Sequence, residues 1–200
     1  MPTPLPQPFR ETWRPVGTRR RRSRFALVSS VTETTLYEHG PTADALADSL
    51  SDGDVPVRSL FAIELTMTPS LPSMGVSPRA VLGMAASQVK RQVVRSVEAE
   101  GLLVGDERES RPFDRADGTV GRRYVLESAA RVEPDAEPID AETHVGVWPT
   151  AESYGVAGGT LPLEAPSGLG PALDPDPDRD RETVCAFVRS VDPSANETDR

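Results

Sequence analysis

Cysteine occurs once in this 200-residue chain, histidine twice and lysine once. A single cysteine, Cys185, excludes an intramolecular disulfide and a cysteine metal cluster. Two histidines at unrelated positions, His39 and His144, fall short of a ligand set, so no metal or cofactor is expected. No apolar run approaches the roughly 18 residues that cross a bilayer. No serine sits in a Gly-x-Ser-x-Gly context. The glycine-rich run Tyr154–Thr160 lacks the lysine of a phosphate loop, and no helix signal follows it, so it reads as a glycine-weakened edge strand or bulge. Nothing here announces a nucleophile, a phosphate site or a membrane span.

What is abundant is negative charge. The chain carries 22 Lys+Arg, of which only Lys90 is lysine, against 31 Asp+Glu, for a net −9. Such an excess favours solubility and argues against nucleic acid as a general partner. The exception is local. Seven arginines against Glu11 give +6 over residues 1–24, which leaves −15 for the rest. The run Arg19–Arg24 is a possible nucleic-acid contact. It also resembles a twin-arginine signal, but Ala26–Glu33 is too polar for the core of one, and a cytoplasmic protein is expected. Of the 20 prolines, five lie in the first fifteen residues and six between Pro149 and Pro177. This clustering predicts a disordered arm over 1–22, an α+β domain over 23–166, a Pro/Asp-rich linker over 167–180, a helix over 181–191 packed on the domain, and a disordered tail over 192–200.

Periodicity places the elements. Leu82, Ala86, Val89, Val93 and Val97 recur on one helical face, and Ser77-Pro78 and Gly101 are start and stop signals for a long helix. Phe25–Tyr37 reads as a strand and Thr42–Leu50 as a short helix. In the strand Val57–Met67, Val57, Ser59, Phe61, Ile63, Leu65 and Met67 face the core, whereas Arg58, Glu64 and Thr66 face away. Leu102 opens a run of strands, with a hairpin turn at Asp117-Gly118. Beyond the turn, Tyr124, Leu126, Ser128, Ala130 and Val132 point inward. In Ile139–Trp148 the core face is Ile139, Ala141, Thr143, Val145 and Val147. Asp140, Glu142, His144 and Trp148 take the other face. Val184, Phe187, Val188 and Val191 form the stripe of a last helix. The plan is α+β, a single antiparallel sheet covered by one long and one C-terminal helix.

From Phe61 onward this order is similar to the PsbP-like fold. The corresponding parts are the strand Phe61–Met67, the helix Ser77–Glu100, the turn Asp117-Gly118 before Tyr124-Val125-Leu126-Glu127, and the closing Phe187-Val188-Arg189-Ser190-Val191. The resemblance implies an adaptor or assembly protein rather than an enzyme. The arginine-rich, acidic composition and Gly146-Val147-Trp148-Pro149-Thr150 resemble proteins of salt-loving archaea. Screening lengths of about 3 Å in molar salt would weaken phosphate contacts.

Three functions follow as expectations. The first is a non-enzymatic binding or assembly protein that meets an unknown protein partner through a sheet face. Trp148 and His144 on that face, with Asp140 and Glu142, and the cationic pair Arg91 and Arg95 on the long helix, are the interaction candidates. The second is an enzyme using His144 with Asp140 and Glu142 as an acid/base group. The third is nucleic-acid binding through Arg19–Arg24. Cys185 falls beside the buried stripe of the last helix and is expected to be an inert small residue.

Overall fold

The computed structural model describes residues 3–25, 28–47, 57–99, 101–130, 138–165 and 170–193. Its strands are β1 (Trp13–Phe25), β2 (Val28–His39), β3 (Ser59–Thr68), β4 (Leu102–Asp114), β5 (Val120–Ala130), β6 (Ile139–Pro149) and β7 (Tyr154–Pro162). Its helices are α1 (Gly40–Ala47), α2 (Leu82–Glu98), the single turn α3 (Gly170–Leu173) and α4 (Pro177–Ser190). The strands make one seven-stranded antiparallel sheet in the order β1-β2-β3-β7-β6-β5-β4. The α+β class with a single antiparallel sheet is therefore as expected.

Local signals explain much of this. Gly118 adopts φ +79°, and the Asp117 carboxylate accepts the Thr119 N–H at 2.8 Å, which closes the β4–β5 hairpin. The apolar stripe of α2 packs Leu82, Ala86, Val89, Val93 and Val97 onto Phe61, Tyr124, Leu126, Val145 and Val156. Gly101, at φ +94°, ends that helix in the left-handed region. The start differs from expectation. Tyr154 donates its hydroxyl to the Pro78 carbonyl at 3.0 Å, and the Ala80 N–H bonds to the Ser77 carbonyl at 3.1 Å. These bonds hold the segment from Ser77 in turns, and the helix begins only at Leu82.

The opposite face of the sheet is also covered, which the alternation could not reveal. Val184, Phe187, Val188 and Val191 of α4 and the residue after it lie on Tyr37, Leu60, Ala62, Trp148 and Leu161. This helix starts at Pro177 rather than Arg181, because the Asp176 side chain caps it by accepting the Arg179 N–H at 3.1 Å. The expected linker over 167–180 is thus structured where described. Leu173 is fully buried beside Leu46, Val57 and Ile139.

The disordered arm over 1–22 is overturned for its described residues. Leu5, Phe9 and Trp13 are buried, Phe9 meets the Phe187 ring edge-on at 5.4 Å, and the Thr3 carbonyl accepts the Tyr37 hydroxyl. Residues 13–25 form edge strand β1, paired along its length with β2. Arginine on an exposed edge strand masks its β character in composition but suits a strand with both faces wet. The strand expected over Phe25–Tyr37 is consequently β2, and Phe25 belongs to β1. The glycine-rich β7 is central, between β3 and β6, not an edge. Its glycines make room for what crosses them: a Cβ at Gly155 would lie 2.4 Å from the Trp148 ring. Leu50, Val132 and residues 194–200 lie outside the described residues.

Candidate functional site

On β6 the period of two puts Glu142, His144 and Trp148 on one face, as the sequence suggested. That face is not open to solvent. Trp148 is buried, with the Arg115 guanidinium 4.0 Å from its ring centroid, and cannot serve as an exposed anchor. Asp140 is exposed at the start of the strand, while Glu142 and His144 are buried under α4. Arg91 and Arg95 lie on α2, across the sheet, where Arg91 donates to Gln88. Their neighbour Lys90 pairs with Glu107 at 2.6 Å. Arg19–Arg24 sit on exposed β1. His39 bonds Thr42 at 2.8 Å beside Trp13 and lines a recess separate from His144. The six expected interaction residues therefore do not form one site; only Glu142 and His144 do.

The helix above supplies what the strand lacks. Arg181 and Cys185, four apart on α4, share one face of that helix and overlie Glu142 and His144. Arg181 grips the Glu142 carboxylate through Nη2 at 2.9 Å and Nε at 3.1 Å. The other partner of Glu142 is His144 Nε2, at 2.5 Å. From β5, Arg123 donates Nη1 to Cys185 Sγ, and its Nη2 lies 3.6 Å from Glu109. Two nitrogens in this cluster lack hydrogen-bond partners among the described residues: Arg123 Nε and His144 Nδ1. The two residues are 8% and 1% exposed, and both line a recess of about 660 Å³. Arg108, Arg111 and Arg189 also line it, together with Glu109 and Glu182; Arg108 pairs with Glu127 at 2.8 Å and Arg111 with Glu109 at 2.5 Å.

The charges are strongly coupled. Burial alone would raise the Glu142 carboxyl, but hydrogen bonds from His144 and Arg181 outweigh it and hold the group at about 2. Burial would lower His144, yet Cys185 and Glu142 together raise it. Burial would raise the Cys185 thiol, and the imidazole of His144 with the charge of Arg123 brings it down instead. Both shifts carry a side-chain interaction of the His144 ring with the Cys185 thiol. The arrangement resembles a thiol, a base and an orienting carboxylate in a row. Arg123 and Arg181 escaped the sequence reading, and Cys185, expected there as an inert small residue, is instead partly exposed in the recess and accepts from Arg123. The only signal was the spacing of Arg181 and Cys185, which acquires meaning once α4 is known to cross β6. Among the described residues no group of three or more His, Cys, Asp or Glu side chains is placed to hold a metal ion.

Fold and site define an antiparallel-sheet α+β protein with an arginine-rich, thiol-bearing recess between sheet and helix. The chain belongs to the family described as a domain of unknown function (DUF6517), whose model matches residues 7–192. No curated protein and no solved structure matches it.

Proposed function

We propose that this is a non-enzymatic binding protein, and that the recess between β5, β6 and α4 seats a small oxyanion such as a carboxylate or phosphate group. The observation that carries the reading is the pair of buried nitrogens without hydrogen-bond partners, Arg123 Nε and His144 Nδ1, both lining an arginine-rich recess in an acidic protein. A buried donor left unpaired costs about 1–3 kcal/mol, which a bound acceptor would recover. Charge-assisted bonds to guanidinium are the strongest of this kind. The acid/base alternative keeps Glu142 with His144 but leaves Asp140 outside. The same reading includes a PsbP-like relationship, supported by the order β3, α2, β4, β5 and α4, and a high-salt cytoplasmic setting, supported by composition.

The test is a thermal melt of the intact chain with phosphate, sulfate or acetate against chloride at matched ionic strength. One of the oxyanions should raise the melting temperature saturably. A ligand at a hundredfold its Kd adds about 2.7 kcal/mol. Arg123→Gln should lose that response, and Arg189→Gln on the rim should weaken it. Equal responses to oxyanions and chloride, or an unchanged response in both variants, would discard the binding reading.

A further inference from the structure

The sulfur of Cys185 stands between cations on an accessible wall. It is partly exposed and borders two recesses, one shared with His144 and Arg181, the other with Arg111, Pro112 and Phe113. Arg123, 8% exposed, points Nη1 at it from β5. Glu142 holds His144 through Nε2, which fixes the ring and leaves Nδ1 without a partner in the same recess. The ring interacts with the Cys185 thiol in that recess, so the imidazole can take the thiol proton on Nδ1 while Nε2–H stays bonded to the carboxylate. Arg181 keeps that carboxylate ionised and in place.

We propose that Cys185 is an oxidisable thiolate that reacts with hydroperoxides, with His144 as its proton partner and Glu142 as a positioning residue. A sulfur lone pair forms a bond to one peroxide oxygen and the O–O bond breaks. The departing oxygen takes the proton held on His144 Nδ1. Thiolate, hydroperoxide and proton thus become sulfenic acid and an alcohol, or water when the oxidant is hydrogen peroxide. Sulfur loses two electrons, and the peroxide gains them.

Peroxide chemistry suits the site better than acyl transfer. Cys185 lies inside α4, so its own backbone N–H is spent in the helix and is no oxyanion donor. Side-chain cations and a proton are what peroxide cleavage needs. Because the chain has only one cysteine, the sulfenic acid has no internal thiol to close on. It persists, or resolves with an external thiol. The inference requires no bound oxyanion and stands apart from the binding reading.

The experiment treats the intact chain with hydrogen peroxide in chloride buffer near pH 6.5 and traps sulfenic acid with dimedone, followed by peptide mass mapping. Labelling at Cys185 should be about tenfold faster in the folded chain than in the same chain in urea, since thiolate fraction rises while intrinsic nucleophilicity falls only partly. Glu142→Gln should lose most of that advantage at an unchanged iodoacetamide-accessible thiol count. His144→Gln should do the same. If either variant fails to fold, the comparison of folded and urea-treated natural chain still decides. Equal rates in the two states would overturn the proposal. So would rapid alkylation without any dimedone adduct, or full advantage retained in a folded His144→Gln chain.

Discussion

Arg115 lays its guanidinium over the Trp148 ring, 4.0 Å from its centroid, while donating to the Val188 and Val191 carbonyls at 2.7 and 2.8 Å. One side chain thus closes the end of α4 and covers the tryptophan at the end of β6. The ring in turn rests on Gly155 of the neighbouring strand. Three elements meet at a residue that looked, on alternation alone, like a surface aromatic.

Trp148→Ala should therefore melt early. Truncating a tryptophan in a core costs about 3–5 kcal/mol, and urea unfolding would show the loss directly. Arg115→Met keeps an apolar cover over the ring but strands two helix-end carbonyls, for a smaller cost of about 1–3 kcal/mol. A Trp148→Ala chain with an unshifted transition would place the ring outside the core.

Removing residues 1–22 should abolish the cooperative transition. The deletion takes away most of β1 together with buried Leu5, Phe9 and Trp13. Each such side chain contributes about 1.5–3 kcal/mol, against a total of about 5–15 kcal/mol for a domain. Circular dichroism on heating measures this, and a shortened chain with a full-height melt would show the segment to be dispensable.

The ion pair Arg58–Asp180, at 2.8 Å, ties β3's approach to α4 and is buried on both sides. Burial raises the Asp180 carboxyl more than Arg58 lowers it, so the pair is a stability cost at neutral pH. Asp180→Leu alone should destabilise by about 3–5 kcal/mol by leaving a buried cation, and the double variant Arg58→Met with Asp180→Leu should recover most of it. A double-mutant cycle in urea gives the coupling; purely additive losses would contradict it.

The two histidines should give opposite pH effects. Burial, then the charges of Arg58 and Arg179, lower His39 to about 4, so neutral His39 stabilises the fold above its ordinary value near 6.5. That stability is lost as pH falls from 6.5 towards 4, by roughly 1–2 kcal/mol for a partly buried ring. His144 is raised, so its contribution is full below 6.5 and is lost as pH rises through its folded value. Stability measured across pH in His39→Gln should flatten the acid side only, and in His144→Gln the other side only. If both variants track the natural chain throughout, the two assignments fail.

Periodicity and turn chemistry carried a large part of the fold. The α2 stripe from Leu82 to Val97, its stop at Gly101, the Asp117-Gly118 turn, the inward set of β6 and the α4 stripe from Val184 to Val191 are all visible in residue order. Each depends on backbone geometry within a few positions. The same local rule placed Glu142, His144 and Trp148 on one face. It could not say whether that face was wet. Covering it requires α4, far along the chain, to cross β6, and the N-terminal segment with Leu5 and Phe9 to fill in beside Phe187. Ion pairing hides such burial in sequence. Arg58 with Asp180, and Glu142 with Arg181 and His144, are written in letters that usually mean solvent, because mutual neutralisation lets charges enter a core without changing type. The meeting of Cys185 with His144 and Arg123 was decided the same way. Residue types set what each group can do, but proximity came only from the crossing of helix and sheet.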